Sequence, residues 1–325
     1  MSRTSLENLN LRSRQLIERL GGSRLDELDV RVIAGPLGCI ILDFGVDRLG
    51  TIAAGKILAE ICLADLAKVS IEPSNRAEWP MPIVAVETDH PLSACIASQY
   101  AGWPVSADGY FAMASGPARL LRGKEDILAR YGLAEVATQG VVILESGGLP
   151  TESALEKMGL ECQLAPNELT LCIARTASLP GTLQIVARCI ETTLHKLFEL
   201  NFDLTQVVRA YGTCPLPPIG RSDLQSVGWT NDAIILASDV TLWVDCADSR
   251  VEEVGERLPS SSSQDFGRPF IEIFQAYERD FYRIDKMLFS PARVTFNNVQ
   301  SGRVFQFGQQ HFELLRKSVG LTAED

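Results

Sequence analysis

The sequence lacks the features that mark membrane-spanning, secreted and nucleic-acid-binding proteins. No stretch of its 325 residues approaches the roughly 20 unbroken apolar residues that a membrane helix needs. The first 22 residues interleave leucines with charged residues at helical spacing, which predicts an amphipathic helix and not the apolar core of a signal peptide. The formal net charge is −11 and no lysine or arginine run occurs, so the usual electrostatic footprint for nucleic acid is missing. We therefore expect a cytoplasmic protein that binds neither membranes nor nucleic acid.

The cysteines and histidines form neither a metal-binding nor a disulfide pattern. The chain has eight cysteines without a C-x-x-C pair, and most stand in apolar surroundings such as Gly38-Cys39-Ile40. We expect buried, reduced thiols and no metal site. Walker loops, a G-x-G-x-x-G turn after a strand, G-x-S-x-G and H-E-x-x-H are also absent. The commonest nucleotide-binding, serine-hydrolase and metallohydrolase functions therefore have no support.

The length and the pattern of apolar residues predict an α+β protein of two domains. A chain of 325 residues exceeds one ordinary core, and 46% hydrophobic with 22% charged residues is typical of a globular protein. Short apolar segments predict strands at residues 39–44, 83–86, 141–144, 169–174, 233–235 and 242–244. Helices are predicted at residues 52–67, 92–100, 183–200, 250–257 and 270–277. Because these elements mix without strict alternation, we favour α+β, with domains of approximately residues 1–165 and 166–325 that are allowed to be discontinuous.

Two segments echo each other. Gly50-Thr51 opens a predicted helix that reaches Glu60, and Gly181-Thr182 opens another that reaches Glu191. In both cases the glutamate follows the glycine by ten residues. The pattern is compatible with an internal duplication, but chance can also produce it.

The predicted helix 183–200 carries a narrow polar stripe between apolar flanks. At about 100° per residue, Gln184, Arg188, Glu191 and His195 fall on one face. A narrow stripe suits a helix that lines a pocket. The other interpretation is a partly exposed face with an ordinary Arg188–Glu191 pair, worth a few tenths of a kcal/mol. The pattern alone leaves both open.

Several short motifs are spread over nearly the whole chain: TDHP at residues 88–91, AGW at 101–103, GYFAMASGPAR at 109–119, Gln184 with AR at 187–188, IE at 190–191 and Lys196, TND at 230–232, GRPF at 267–270 and PAR at 291–293. Together, and in this order, they resemble the methenyl-tetrahydromethanopterin cyclohydrolase family of methanogens and methylotrophic bacteria. The long run at 109–119 is the most specific of them. Two positions depart from the family pattern: Ala114 stands where glycine is expected, and Trp229 where arginine is expected.

The resemblance implies a fold, a reaction and two catalytic residues. It implies two α+β domains side by side with a substrate cleft between them, and commonly a homotrimer. The implied reaction is hydrolysis of the methenyl bridge of a tetrahydromethanopterin derivative, which is the substrate, in methanogenesis or formaldehyde oxidation. No further cofactor or metal is implied. Arg188 and Glu191 match the family's catalytic arginine and glutamate.

The methenyl carbon bridges two nitrogens and shares their positive charge, so it is already electrophilic and needs no metal to polarise it. Glu191 is expected to accept a proton from the attacking water as general base. Arg188 is expected to form an ion pair that orients Glu191 and keeps it ionised. Gln184 and His195 are candidates for supporting partners, with a structural role as the alternative.

The other candidate substrate-binding residues have structural alternatives. They are Thr88, Asp89, His90, Tyr110, Phe111, Ser115, Gly116, Arg119, Gln184, Thr230, Asn231 and Asp232. For Asp89 we favour the structural alternative, a cap on the next helix with Pro91 at its first position, whereas for His90 both alternatives stay open. Tyr110 and Phe111 could stack on a pterin or pack in the core. Ser115 and Gly116 begin a predicted tight loop whose N–H groups could meet the pterin's polar edge.

Two further motifs stay open. Arg119 could contact an anionic tail or lie on the surface, and residues 230–232 could form a strand-entry turn or a site wall. His311, in a C-terminal helix pattern, is predicted to have no role. The alternative functions are a pterin-carrier protein without turnover and an assembly partner of other one-carbon enzymes.

Overall fold

The computed structural model describes residues 8–74 and 78–321, and these divide into two compact units. Unit 1 contains residues up to 67 together with 93–184, and unit 2 contains residues 68–92 together with those from 185 onward. Each unit combines helices with one six-stranded sheet of mixed strand direction. The predicted α+β class is confirmed.

The strands are β1 Arg31–Ala34, β2 Ile40–Gly45, β3 Lys68–Glu72, β4 Ile83–Thr88, β5 Trp103–Ala107, β6 Tyr110–Ser115, β7 Gly140–Glu145, β8 Leu169–Ala174, β9 Val207–Pro215, β10 Asp239–Val244, β11 Arg293–Asn298 and β12 Val304–Gly308. The α-helices are α1 Leu9–Glu27, α2 Ile52–Cys62, α3 Ala118–Arg122, α4 Asp126–Arg130, α5 Glu152–Cys162, α6 Leu179–Val186, α7 Cys189–Glu199, α8 Asp223–Ala237, α9 Asp248–Gly255, α10 Phe270–Ala276 and α11 Phe312–Ser318. A π-helix spans Leu92–Gln99, and short 3₁₀ turns occupy several connections.

The sheet of unit 1 has the order β1-β2-β8-β7-β6-β5, and its central strands β2, β8 and β7 are parallel. Parallel strands need cover on both faces, and both faces carry an apolar core. Leu42 and Phe44 pack with Leu58 of α2 on one face. Leu155 and Met158 of α5 pack on the other.

The sheet of unit 2 has the order β12-β11-β10-β9-β4-β3, and only its β10–β11 pair is parallel. The two helices α7 and α8 contact β9. Inward-facing residues along β10 are buried while their neighbours are half-buried, as expected for an antiparallel pair with one covered face. This arrangement places α7 directly against the middle of the sheet.

The two units do not meet at a single boundary near residue 165, as approximately predicted, because several strands pair with strands that are distant in the sequence. β8 pairs with β2 and β7, which keeps residues 166–184 in unit 1. β4 pairs with β9, which carries residues 68–92 into unit 2. Both units are therefore built from separated parts of the chain.

Most predicted elements are confirmed, but residues 233–235 are helical. They lie in α8, where Ala233, Ile234 and Ile235 are buried. Short apolar segments occur both in buried helices and in strands, so the sequence pattern does not distinguish the two. The prediction of a strand at residues 233–235 was therefore wrong. The predicted helix 52–67 is also shorter, since α2 ends at Cys62.

The predicted helix 183–200 is two helices, α6 and α7, with a turn at Ala187 and Arg188 between them. The prediction of one continuous helix was wrong, and no glycine or proline marks the break. The proposed echo also has no structural counterpart, because Gly181 lies inside α6 whereas Gly50 precedes α2. The strand-pairing patterns of the two sheets differ as well.

All eight cysteines are free and buried, which confirms the prediction of reduced core thiols. Residues 9–27 form the helix expected near the N-terminus, with a kink at Gly21. Among the described residues, none of the helices combines the length and apolar character needed to cross a membrane.

Candidate active site

The turn between α6 and α7 places Arg188 and Glu191 at the start of α7. Arg188 precedes the helix with φ −87° and ψ 4°, a sparsely populated backbone region that recurs at active sites. Its guanidinium Nη1 lies 3.9 Å from Oε2 of Glu191, which occupies the first turn. Arg188 is 7% exposed and Glu191 is 5% exposed. The positive end of the helix dipole favours the anionic form of a carboxylate at this position.

A close approach between α7 and β9 fixes the start of the helix. A Cβ on Gly212 of β9 would lie 2.7 Å from Cys189 Sγ and 2.8 Å from Ile190 Cγ1. Only glycine therefore leaves room for α7 at this depth. The Thr193 hydroxyl donates to the Cys189 carbonyl at 2.7 Å and the Thr192 N–H to the Arg188 carbonyl at 2.9 Å. The backbone around the Arg188–Glu191 pair is consequently well anchored.

Lys196, further along α7, is a fully buried ammonium group. Its Nζ donates to the carbonyls of Pro259 at 2.9 Å and Met287 at 2.5 Å, and to Ser262 Oγ at 2.8 Å. Burial lowers the pKa of Lys196 to about 7, although the nearby Asp285 opposes this shift. Lys196 thus ties α7 to two later segments of unit 2.

The TDHP motif lies at the end of β4. The buried Thr88 pairs with Ala210 of β9, and in this register it shares the helix-covered face with Gly212. Thr88 Oγ1 accepts from the His90 N–H at 2.9 Å. The Asp89 carboxylate forms an ion pair with Arg209 Nε at 2.7 Å, and both residues are exposed. His90 is exposed as well. Thr88 therefore comes near the start of α7, whereas Asp89 and His90 point to solvent.

Tyr110 and Phe111 separate on β6. Tyr110 packs in the core of unit 1, and burial raises the pKa of its phenol to about 12. Phe111, on the opposite face, is 58% exposed. Tyr110 is therefore a core residue, and of the two rings only that of Phe111 is accessible to a ligand.

Ser115 and Gly116 lie at the buried end of β6. The Gly116 N–H already donates to the Ser98 carbonyl at 2.9 Å, and the Ser115 hydroxyl lies 3.5 Å from Cys62 Sγ. Gly116 has φ +91°, which favours glycine, and Pro117 has no N–H. The chain turns tightly at Gly116 as predicted, but the Gly116 N–H is used within the protein, and contact of this loop with a pterin stays a prediction. The neighbouring Ala114 is buried in the same strand.

Arg119 is fully buried, so the expectation of a surface position was wrong. Its guanidinium lies 4.4 Å from the centre of the Tyr100 ring, 3.2 Å from Glu125 Oε1 and 3.4 Å from the Ile96 carbonyl. Contact with a carrier's anionic tail stays a prediction for this residue, and the contacts observed are all within unit 1.

Gln184 lies on a different helix from Glu191, whereas His195 lies four residues after Glu191 on α7 and therefore on the same face. Gln184 is buried in α6, before the chain turn. On α7, His195 Nε2 lies 3.6 Å from Glu199 Oε1. The polar stripe predicted for one continuous helix is therefore split: Gln184 lies on α6, whereas Arg188 directly precedes α7 and both Glu191 and His195 lie on α7.

Residues 230–232 lie inside α8 and not in a strand-entry turn. The Thr230 and Asn231 side chains donate to carbonyls of their own helix. The buried Asp232 accepts from the Phe270 N–H at 2.9 Å and from the Ser318 hydroxyl, and burial raises its pKa to about 6. Asp232 thereby joins α8 to the start of α10 and the end of α11.

Trp229 and His311, both noted in the sequence analysis above, make contacts within the protein. Trp229 donates from Nε1 to the Ser318 carbonyl at 3.1 Å, so this departure from the family pattern supports α11. His311 precedes α11, where its ring packs edge-on against Phe266 and contacts Glu313.

Glu145 was not among the site residues predicted from the sequence. This half-buried carboxylate stands at the carboxyl end of β7, where β2, β8 and β7 run parallel. Ligand sites recur at such strand ends. The signal available in the sequence was a glutamate directly after an apolar strand, followed by Ser146 and two glycines. The Thr176 hydroxyl donates to Glu145 Oε1 at 2.5 Å.

The chemistry available at the start of α7 is that of a carboxylate base. A buried carboxylate with a guanidinium partner can accept a proton from water without a metal ion. Within residues 8–74 and 78–321, no group of three or more His, Cys, Asp or Glu side chains is arranged to hold a metal. A buried carboxylate–guanidinium pair on an α+β scaffold is compatible with an enzyme that uses acid–base catalysis.

Comparison with known proteins identifies the family. A family model described as "Cyclohydrolase (MCH)" matches residues 8–319. The methenyltetrahydromethanopterin cyclohydrolase of Rhodopirellula baltica is 47% identical over 289 residues, 87% of each chain. The enzymes of that name from Methylobacterium organophilum (40% over 311 residues, 94% of this chain and 95% of that one) and Methanospirillum hungatei (39% over 284 residues, 87% and 90%) are also similar. The chain belongs to the MCH cyclohydrolase family and is a hydrolase that acts on C–N bonds.

Proposed function

We propose that this enzyme hydrolyses the 5,10-methenyl bridge of methenyl-tetrahydromethanopterin to N5-formyl-tetrahydromethanopterin, in a reversible reaction. The observation that carries the proposal is the buried Arg188–Glu191 pair at the start of α7. The names of the relatives support the same substrate.

In the proposed reaction, Glu191 acts as general base. Water attacks the methenyl carbon, and its proton passes to the Glu191 carboxylate, leaving a neutral hydroxylated carbon. The bond from this carbon to N10 then breaks, and N10 takes up the proton that Glu191 holds. The hydroxyl loses its proton to solvent as the formyl group forms on N5. One proton is released for each methenyl group hydrolysed, and general-base assistance of this kind typically contributes 10²–10⁴-fold.

Arg188 keeps the base available in this proposal. A buried carboxylate without a compensating charge tends to become protonated, and a nearby guanidinium opposes that tendency. Because the guanidinium charge is offset by Glu191, the cationic substrate meets a pair with no net charge. Repulsion between Arg188 and the substrate is thereby reduced.

The wider assignments follow the family resemblance. We propose that the enzyme works in the cytoplasm, in one-carbon metabolism of the methanogenic or formaldehyde-oxidising kind, as a homotrimer without a metal or further cofactor. The remaining proposed substrate-binding residues are those named from the sequence. A pterin-carrier protein without turnover is the alternative, and it would have no need of a buried base beside the one-carbon group.

The absorbance of the methenyl cation tests the function directly. Purified protein added to methenyl-tetrahydromethanopterin should remove this absorbance faster than buffer does, in proportion to enzyme concentration. A carrier protein would bind the compound without accelerating its loss. Parallel assays with a bacterial carrier that has a shorter tail would show which form is preferred.

A further inference from the structure

Three titratable side chains follow one another along one face of α7. Glu191, His195 and Glu199 are spaced four residues apart, and residues at this spacing are neighbours on a helix surface, with Cβ atoms about 5–6 Å apart. Their exposed side-chain fractions rise in the same order, from 6% for Glu191 to 18% for His195 and 23% for Glu199. The row therefore leads from a buried carboxylate to side chains that water reaches more easily.

The direction of the helix inclines the side chain of His195 towards Glu191. In an α-helix every Cα–Cβ bond tilts towards the N-terminus, and long side chains lie over the preceding turn. The turn that precedes His195 carries Glu191. The imidazole is thus placed where a proton can pass to it from the Glu191 carboxylate, directly or through one water molecule.

Charged groups beyond His195 adjust its affinity for a proton. His195 Nε2 lies 3.6 Å from Glu199 Oε1, which also accepts from Lys286 Nζ at 2.8 Å. A nearby carboxylate favours the protonated imidazole. The Lys286 ammonium offsets part of this attraction, so a proton that reaches His195 can leave it again. Histidine also changes its charge between pH 5 and 8, which suits proton uptake and release near neutral pH.

The proposed reaction has to release one proton from a buried position in each turnover. This proton comes from the hydroxyl group on the former methenyl carbon. When it leaves, Glu191 has already given its first proton to N10 and is again a carboxylate, so it can accept the second. Glu191 must then lose this proton before it can serve as base in the next turnover. Its burial hinders direct transfer to bulk water.

We propose that His195 is the proton-transfer residue between Glu191 and solvent. As the formyl group forms, the electron pair of the O–H bond enters the C=O bond, and the proton passes to the Glu191 carboxylate, then to the imidazole and then to water. In the reverse reaction the same route delivers the proton. This inference rests on the proposed function, because it follows the proton that the reaction produces. His195 acts through Glu191 and does not touch the substrate.

The first test is the buffer dependence of kcat in His195→Gln, whose amide can still donate to Glu199. In dilute buffer at pH 7, kcat should fall about tenfold, with KM within about threefold of wild type. Added imidazole should restore kcat at constant pH and ionic strength, because a free base then removes the proton. Wild-type kcat should not depend on imidazole. Rates measured without enzyme are subtracted at each imidazole concentration.

His311→Gln is the matched control. The His311 side chain is 17% exposed and also contacts a glutamate, Glu313, but it precedes α11 and has no place in the row on α7. This variant should keep the kcat, the KM and the indifference to imidazole of wild type. His195→Ala is a second test variant, and imidazole should raise its kcat as well. Urea denaturation shows whether each variant is folded.

Three results would overturn this role of His195. They are a kcat of His195→Gln within about twofold of wild type in dilute buffer, a lowered kcat that imidazole does not restore, and a wild-type kcat that rises with imidazole as that of the variant does. The second result would assign His195 a structural role, and the third does not depend on the folding of any variant. All three leave wild-type turnover intact, whereas absence of wild-type turnover would refute the proposed function.

Discussion

The two ends of α7 hold buried charges in different ways. At its start, the Arg188 guanidinium lies 3.9 Å from the Glu191 carboxylate, and both side chains keep a small exposed fraction. Further along, the Lys196 ammonium has no exposure and contacts three oxygens at 2.5–2.9 Å. The short hydrogen bonds of Lys196 to fixed acceptors suit a structural role. The longer distance between Arg188 and Glu191, together with their slight exposure, suits a carboxylate that must exchange a proton with water.

Among the substitutions that test this comparison, those at the start of α7 should have the largest effect. Arg188→Met should lower kcat by about a hundredfold, because a buried carboxylate without its guanidinium takes up a proton more readily. The loss should shrink as pH rises, since higher pH restores the carboxylate. Arg188→Lys should retain more activity, and steady-state kinetics between pH 6 and 9 would measure both. Equal losses at every pH would contradict this role.

Substitution of Lys196 should change the stability of the protein and not the chemistry of the reaction. Lys196→Met removes the donor from two backbone carbonyls and a hydroxyl, and should lower the free energy of unfolding by about 2–3 kcal/mol. Urea denaturation would measure the change. Lys286→Met, which removes an exposed lysine paired with Glu199, is the control and should stay within about 0.5 kcal/mol. A Lys196 variant of wild-type stability would show that the anchor is unnecessary.

Asp232 should make a pH-dependent contribution of at most about 3 kcal/mol to the free energy of unfolding. Its pKa of about 6 in the folded protein exceeds the ordinary value of 3.8, so the folded state binds the proton more tightly than the unfolded chain does. The stabilisation is therefore complete below about pH 4 and is lost as pH rises through about 6. Relative to Asp232→Asn, wild type should lose stability across that window.

Denaturation of wild type and Asp232→Asn at pH 4, 5, 6 and 7 would measure this difference. Asp126→Asn, which changes an exposed aspartate at the start of α4, serves as the control. A constant difference between wild type and Asp232→Asn at all four values would refute the assignment.

The sequence predicted the fold class, and five of its six predicted strands were correct, because apolar periodicity reports which faces are buried. The described residues contain twelve strands, so seven were not predicted. It failed where different structures share one pattern. Residues 233–235 are as apolar in α8 as they would be in a strand. The chain turn at Arg188 contains no residue that breaks helices, so periodicity alone extended one helix through it.

The candidate site was partly predictable for a similar reason. Glu191 and Arg188 are three residues apart, and local spacing brought them together whether or not the helix was continuous. Glu145 and Phe111 are 34 positions apart in the chain and meet only through the pairing of β6 with β7. One sequence alone does not show such a register, so it could not predict that these two side chains lie on the same face of the sheet.

The kcat of Glu191→Gln for methenyl-tetrahydromethanopterin tests the central claim most directly. Glutamine keeps the shape of the side chain but cannot accept the proton, so kcat should fall by about 10²–10⁴. Glu199→Gln, which changes the other glutamate of α7, should leave kcat nearly unchanged. A Glu191→Gln enzyme that turns over within threefold of wild type would contradict the account.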